Sequence, residues 1–172
     1  MIPEIKKILY ATDLSKNSSY AFLYAADMAK RHNARIVIVH SVEPVQYMYS
    51  EGMSDRVDQI LQKAKKGERG IDLEEIKRYL QEFCNKMEIQ IGPPCVDLVS
   101  KILIPLGYPV EQILKAADEE DCDAIVLGTH GKGFLKHTFL GSVAEDVFER
   151  TRKPVFIIPL PSEKSHFDWD HI

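Results

Sequence analysis

A glycine-rich segment in the last third of the chain has the residue types best suited to holding an anion. It runs from Gly128 to Ser142 with the sequence GTHGKGFLKHTFLGS. Gly131 and Gly133 allow a loop to turn its amide hydrogens inward, which creates a concave site for a negative charge. Gly141 and Ser142 then open a predicted helix, where unpaired N–H groups also favour a phosphate. The segment therefore predicts a phosphate site.

The glycine spacing excludes two common phosphate motifs and fits a third pattern. No GxxxxGK[ST] sequence occurs, and Gly131-Lys132-Gly133 lacks the third glycine of GxGxxG. The segment does fit GxxG, nine residues and then G[S/T], with Gly128 and Gly131 in the first part and Gly141-Ser142 in the last. The residues from Ser142 to Glu145 also match a capping box, which predicts Ser142 as the N-cap of the last helix.

The elements that would position this segment alternate along the chain. Short apolar, β-branched runs predict strands at residues 5–11, 35–40, 96–104, 124–127 and 155–160. Helical periodicity predicts helices at 18–33, 72–88, 110–117 and 142–152, with a short one around 55–65. This alternation predicts a doubly wound parallel α/β sheet, in which ligands bind beyond the carboxyl ends of the strands.

Composition favours one compact domain and argues against several partners. The chain has 172 residues, and 26 acidic against 22 basic residues give a net charge of −4, which disfavours nucleic-acid binding. Its three cysteines form no CxxC pair, so we expect neither a disulfide framework nor a zinc site. No signal-type core or apolar run of about 20 residues is present, so we expect a cytoplasmic protein without a membrane span.

The motifs together resemble the universal stress protein family, in its ATP-binding branch. The resemblance rests on the late glycine pattern and on the early sequence KKILYATDLS, residues 6–15. It extends through residues 36–40, 107–113 and 153–159, and leaves out residues 41–94 and the tail. It implies a single five-stranded parallel sheet in the order three, two, one, four, five. We therefore expect one domain over residues 1–161, with an insert at about 41–71 and a polar tail at 162–172.

The resemblance also implies a nucleotide site. Asp13 and its neighbours would lie by the ribose and adenine, residues after strand two would line the base pocket, and the glycine segment would hold ribose and phosphates. The implied ligand is ATP, or AMP or ADP, with Mg²⁺ or Mn²⁺ carried on the phosphates. The implied nucleotide-binding residues are Ala11, Thr12, Asp13, Ser41, Val42, Leu127, Gly128, His130, Gly131, Lys132, Gly141, Ser142 and Val143.

Several of these residues have simpler structural interpretations. Asp13 could cap the first helix instead of binding ribose, although an acceptor-only carboxylate suits a pair of hydroxyls. Ser142 could serve as a helix cap alone, and Lys132 and Lys136 could be ordinary solvated lysines. His40, at a strand end, is interpreted as a satisfied and partly buried histidine without a catalytic role.

Family likeness further implies a homodimer formed through strand five. The apolar residues Val155, Phe156, Ile157 and Ile158 would pair with their counterparts in a second copy. An exposed edge strand of this kind is an aggregation hazard that dimerisation removes.

Three functions compete at the level of sequence. The first is an ATP-binding stress-response or signalling protein, because no catalytic group has a visible partner. The second is an enzyme, a slow ATPase or an adenylyl-transferring relative, in which Lys132, Lys136 and His137 supply positive charge. The third is an interaction module whose partner surface is residues 41–70, with the apolar residues Tyr47, Met48, Tyr49 and Met53.

Overall fold

The computed structural model of the chain describes residues 2–43, 73–91, 95–129 and 140–159. Five strands alternate with helices: β1 Lys7–Ala11, α1 Lys16–His32, β2 Arg35–Val39, α2 Leu73–Ile91, α3 Cys95–Leu98, β3 Val99–Leu103, α4 Pro109–Glu119, β4 Ala124–Gly128, α5 Ser142–Arg150 and β5 Val155–Ile158. The predicted short helix at 55–65, most of the insert and the tail lie outside the described residues.

All described strand pairs are parallel, and they form one sheet in the order β3-β2-β1-β4-β5. This confirms the predicted fold and strand order. The chain builds outward from β1 to β3, then returns to the other side of β1 with β4 and β5. The order therefore reverses between β1 and β4, and the carboxyl ends of these two strands bound the crevice where such sheets bind ligands.

Two apolar layers cover the two faces of the sheet. Alternate strand residues such as Ile8 and Tyr10 pack with α1 and α2, and their neighbours Leu9 and Ala11 pack with α4 and α5. The three central strands are buried on both faces, which explains their nearly continuous apolar sequences. The helical periodicity that predicted α2 reflects core packing, because the residues Ile76, Leu80, Phe83 and Met87 along one face of the helix are buried.

Three of the sequence-based boundaries that differ from the structure have a local physical reason. β3 begins at Val99 rather than at residue 96, because residues 95–98 form one helical turn, α3. β5 ends at Ile158, before Pro159, whose ring removes the amide that a strand needs. The N-cap of α5 is Gly141, so the predicted capping box headed by Ser142 does not form. Ser142 is instead the first residue of the helix.

Candidate functional site

The turn after β1 presents a carboxylate at the carboxyl edge of the sheet. Leu14 adopts a left-handed conformation with φ 66°, which is uncommon for a residue with a side chain. Ser15 is the N-cap of α1, and its Oγ accepts a hydrogen bond from the Ser18 amide at 3.2 Å. Asp13 therefore does not cap α1 directly. Its Oδ1 accepts bonds from the Ser15 amide at 3.0 Å and the Ser15 hydroxyl at 2.6 Å, which orients the capping residue.

The other carboxylate oxygen of Asp13 has no partner. Oδ2 is buried and makes no hydrogen bond. Buried polar atoms in native proteins are nearly always hydrogen-bonded, and leaving one unpaired costs about 1–3 kcal/mol. Asp13 Oδ2 lies at the edge of the sheet where such folds bind ligands. A ligand that carries a hydroxyl group could donate the missing hydrogen bond to it.

A polar network behind Asp13 fixes the turn. The Thr12 amide donates to the Val39 carbonyl oxygen at 3.0 Å, and the Thr12 hydroxyl is 2.8 Å from the Ser18 hydroxyl. His40 Nδ1 lies 2.9 Å from the Thr12 carbonyl oxygen, which can only accept, so this ring nitrogen carries the proton. His40 is 5% exposed, in keeping with the interpretation of a satisfied, buried histidine. The network ties the end of β1 to the end of β2.

The exit of β4 meets the entrance of α5. The Gly141 amide donates to the Thr129 carbonyl oxygen at 2.7 Å, and the Thr129 amide donates to the Ile158 carbonyl oxygen at 2.9 Å. These bonds bring the first and last parts of the glycine-rich segment together beside β1. Leu127 is part of the same strand, but its side chain is buried in the core. Only its main chain is available to a ligand.

The start of α5 is open. Gly141 has no side chain to cap the helix, and no described residue offers an acceptor to the amides of Ser142 and Val143. Ser142 is exposed, whereas Val143 packs partly against the core. Unpaired amides and the positive end of the helix dipole together attract a phosphate or carboxylate.

The end of β2 directs one residue's main-chain groups toward the crevice. The His40 and Val42 amides both donate to β3 and its continuation, at the Leu103 and Pro105 carbonyl oxygens, each at 2.9 Å. Because successive amides of a strand point to opposite sides, the N–H and C=O of Ser41 point toward β1. Within the described part of the chain, neither group has a hydrogen-bond partner.

The two residues predicted for the base pocket thus differ in what they can offer. The Val42 side chain is 4% exposed, and its carbonyl oxygen accepts from the Gly107 amide at 2.9 Å. Val42 can contribute only packing, whereas Ser41 can contribute hydrogen bonds.

These three strand ends form a row of complementary groups. Neighbouring strands are about 4.8 Å apart, so the row β4-β1-β2 spans about 10 Å. It presents amide donors at α5, a carboxylate oxygen at Asp13, and one donor and one acceptor at Ser41. A ligand with an anionic end, hydroxyls in the middle and a polar planar end would match this row.

Comparison with known proteins identifies the family. The model of the universal stress protein family matches residues 4–159. This chain belongs to the universal stress protein family. The universal stress protein MJ0577 of Methanocaldococcus jannaschii is 32% identical over 164 residues, which cover 89% of this chain and 94% of that protein. A solved structure of MJ0577 superimposes with a TM-score of 0.69 at 26% identity, covering 94% of this chain and 100% of that one.

Two further solved universal stress proteins share the fold and carry ligands. One, in complex with cAMP, has a TM-score of 0.60 at 22% identity and covers 91% of this chain and 98% of its own. The other, from Archaeoglobus fulgidus in complex with dAMP, has a TM-score of 0.53 at 24% identity and covers 92% and 99%.

The predicted site of this universal stress protein extends beyond the described residues. His130, Gly131 and Lys132, with Lys136 and His137, lie outside the described residues. Sequence reasoning missed Thr129, whose main chain joins the two ends of the glycine segment. Its position directly after Gly128, where the strand ends, was the available signal.

The described residues of this family member offer neither a metal centre nor a membrane helix. Among residues 2–43, 73–91, 95–129 and 140–159, no group of three His, Cys, Asp or Glu side chains could hold a metal ion. None of the described helices is both long and apolar enough to cross a bilayer. Cys122 is buried, and burial raises the pKa of its thiol to about 11, so it is not a nucleophile at neutral pH.

Proposed function

We propose that this chain binds an adenine nucleotide, with ATP as the main ligand, along the carboxyl ends of β4, β1 and β2, and acts as a nucleotide-dependent regulator in stress response or signalling. The observation that carries the proposal is the buried, unpartnered Oδ2 of Asp13. It lies in the middle of the row, between an open helix start and the polar main chain of Ser41.

The phosphates would bind at the start of α5. The amides of Ser142 and Val143 are the donors, and Gly128 and Gly141 keep the approach free of side chains. Residues Gly131 and Lys132 belong to the same predicted loop, and a lysine there would add positive charge. A helix start accommodates a phosphate through its amides without needing a strongly basic surface, in keeping with a net charge of −4.

The ribose would bind at Asp13. A carboxylate oxygen accepts a hydrogen bond from a hydroxyl, and a charged acceptor makes that bond stronger than a neutral one would. Because Oδ1 is already engaged by Ser15, the carboxylate is held in one orientation with Oδ2 free for the sugar.

The base would bind beside Ser41. A main-chain N–H and C=O side by side match the ring nitrogen and the amino group on one edge of adenine. Two universal stress proteins of this fold were solved with the adenine nucleotides cAMP and dAMP. Their likeness to this chain supports the fold, and their ligands make adenine nucleotides the first class to test.

Binding is better supported than catalysis. Asp13 uses one carboxylate oxygen to orient Ser15 and offers the other as an acceptor for a ribose hydroxyl, which is a binding contact. The described residues offer no metal-ligand set, so a Mg²⁺ or Mn²⁺ ion would be held through the phosphates of the nucleotide. A change of shape or partner on binding is therefore the activity we assign.

Replacement of Gly141 tests the phosphate site. Gly141 has φ −73° and ψ 150°, which any residue can adopt, so Gly141→Val should fold and place its methyl groups where the phosphates bind. We expect calorimetry to detect ATP binding by the wild type and none by Gly141→Val. Phe148→Val, a neutral change at an exposed position of the same helix, is the control and should bind normally. If Gly141→Val binds ATP as tightly as the wild type does, the phosphate site is wrong. Mass spectrometry of ligands released from the denatured wild type would identify any nucleotide that co-purifies.

We also propose that the protein is a homodimer through β5. Among the described strands β5 pairs only with β4, so its outer edge is open, and Phe156 on it is 37% exposed. Val155 and Ile157 pack against the core, so a charge there would disturb folding as well as assembly. Phe156→Lys is the sharper test.

Light scattering should give a dimer for the wild type and a monomer for Phe156→Lys. Leu106→Lys, at a more exposed apolar position beside the opposite edge strand β3, should remain dimeric. A monomeric wild type would exclude the dimer.

A further inference from the structure

The turn after β3 carries two large apolar side chains into solvent. Leu106 is 58% exposed and Tyr108 is 68% exposed, although both belong to a short connection between β3 and α4. Scattered exposed apolar residues are ordinary, but this pair lies next to the main chain of Ser41 and Val42. The two side chains therefore lie beside the β2 end of the row of strand ends β4-β1-β2.

The turn is held firmly against the end of β2. Leu106 forms a parallel bridge with Val42, and the Gly107 amide donates to the Val42 carbonyl oxygen. The Ser41 hydroxyl donates to the Gly107 carbonyl oxygen at 2.5 Å. Gly107 has φ 146°, a backbone conformation that residues with a side chain rarely adopt, so this position requires glycine. The side chains on either side of Gly107 are thus presented by a fixed backbone.

The two side chains lie toward different faces of the sheet. Leu106 is paired with Val42, whose side chain is buried in the layer formed with α1 and α2. The Ser41 side chain points to the opposite face, where α4 and α5 lie, and its hydroxyl contacts Gly107 there. Tyr108 immediately precedes α4 on that face. It is therefore on the same side of the sheet as the open start of α5.

Along the carboxyl edge of the sheet, Tyr108 follows β3 and lies one strand further from β4 than the proposed base site does. A phosphate at α5 and a ribose at Asp13 direct the base toward Ser41 at the end of β2. The next strand end is that of β3, about 4.8 Å further on. Because the Ser41 main-chain groups point toward β1, the base lies on the β1 side of Ser41. A tyrosine side chain is longer than one strand spacing, so the ring of Tyr108 can reach back from the turn to the face of the base.

We propose that the aromatic ring of Tyr108 covers the outer face of the adenine base and forms one wall of its pocket. This inference rests on the proposed nucleotide function and adds a positioning residue to it. A base stacked on an aromatic ring gains affinity through its π-face, whatever the length of the phosphate chain. Tyr108 would therefore contribute equally to AMP and ATP binding.

Nucleotide affinities of three variants, measured by calorimetry, distinguish a Tyr108 ring that contacts the base from one that only supports the turn. Tyr108→Ala should weaken AMP and ATP binding by the same factor, about tenfold. Tyr108→Phe should restore affinity to within about twofold, because the ring and not the hydroxyl makes the contact. Leu106→Ala is the matched control, at an exposed apolar position in the same turn, and should bind as the wild type does. Tripolyphosphate, which has no base, should bind wild type and Tyr108→Ala equally.

A spectroscopic measurement reports the ring directly. In the wild-type complex the H2 or H8 proton of bound AMP should shift upfield through the ring current of Tyr108. In Tyr108→Leu, which keeps an apolar side chain but has no aromatic ring, that shift should disappear.

The outcomes distinguish this inference from the proposed function. If the wild type binds neither AMP nor ATP, both are wrong. If it binds them and Tyr108→Ala leaves affinity and the proton shifts unchanged, the nucleotide function stands and the wall is excluded. Equal losses in Tyr108→Ala and Leu106→Ala would show that the turn's backbone matters rather than the ring, and would also exclude the wall.

Discussion

The two ends of the same sheet treat their polar groups in opposite ways. At the amino edge, Asp123 Oδ2 accepts from the Lys6 and Lys7 amides at 2.8 and 2.9 Å. The Lys7 ammonium donates to the Glu120 carbonyl oxygen at 2.6 Å, and the Lys153 ammonium donates to that of Cys122 at 2.8 Å. These side chains close the ends of strands and helices with partners from the chain itself.

At the carboxyl edge, comparable groups are left open. Asp13 keeps a buried oxygen without a partner, α5 begins without a side-chain cap, and the turn after β1 contains a left-handed Leu14. Unpaired polar groups and unusual backbone conformations are most common where a protein binds a ligand, because the ligand supplies the missing hydrogen-bond partners. The difference between the edges supports a division of roles in which the amino edge serves stability and the carboxyl edge is the proposed binding edge.

Removing the carboxylate of the closed edge should have the largest effect. In Asp123→Ala the Lys6 and Lys7 amides lose their shared acceptor, so we expect a loss of about 2 kcal/mol in the free energy of unfolding. Urea denaturation measures this, and nucleotide affinity should stay unchanged. Asp118→Ala, which removes an exposed carboxylate paired only loosely with Lys153, should cost less than about 0.5 kcal/mol. A stable Asp123→Ala variant with weakened ATP binding would reverse the assigned roles of the two edges.

The corresponding change at the open edge should act on binding instead. Asp13→Asn keeps an oxygen for the two bonds from Ser15 and replaces Oδ2 with a neutral amide nitrogen. We expect ATP to bind about tenfold more weakly, or about 1.4 kcal/mol, because a charge-assisted bond to the ribose is lost. The unfolding free energy should not fall, since a buried charged oxygen without a partner is removed. Unchanged affinity, or a clear loss of stability, would argue that Asp13 is structural.

The fold could be predicted because the hydrophobic pattern that indicates it recurs from one strand or helix to the next. Each central strand is apolar on both faces, as in Ile36–Val39, and each of the four longer helices has buried apolar residues on one face. Local errors therefore did not alter the predicted topology. The start of β3 was predicted too early because Val96 is β-branched, a residue type that is common in strands. In the structure it belongs to the helical turn Cys95–Leu98.

The candidate site was predictable in composition but not in the role of each residue. Thr12, Asp13 and Ser15 are all capping residues by type. In the folded turn, where Leu14 is left-handed, Ser15 caps α1 and Asp13 orients Ser15. Gly141 and Ser142 are likewise both acceptable N-caps, and a shift of one residue leaves the amides open. The free main chain of Ser41 depends on strand alternation against β3, which a sequence does not display.

A crystal structure of the protein with bound ATP tests the central claim most directly. We predict a phosphate oxygen within hydrogen-bond distance of the Ser142 or Val143 amide and a ribose hydroxyl within hydrogen-bond distance of Asp13 Oδ2. A nucleotide bound elsewhere, with Asp13 Oδ2 still unpartnered, would contradict the account.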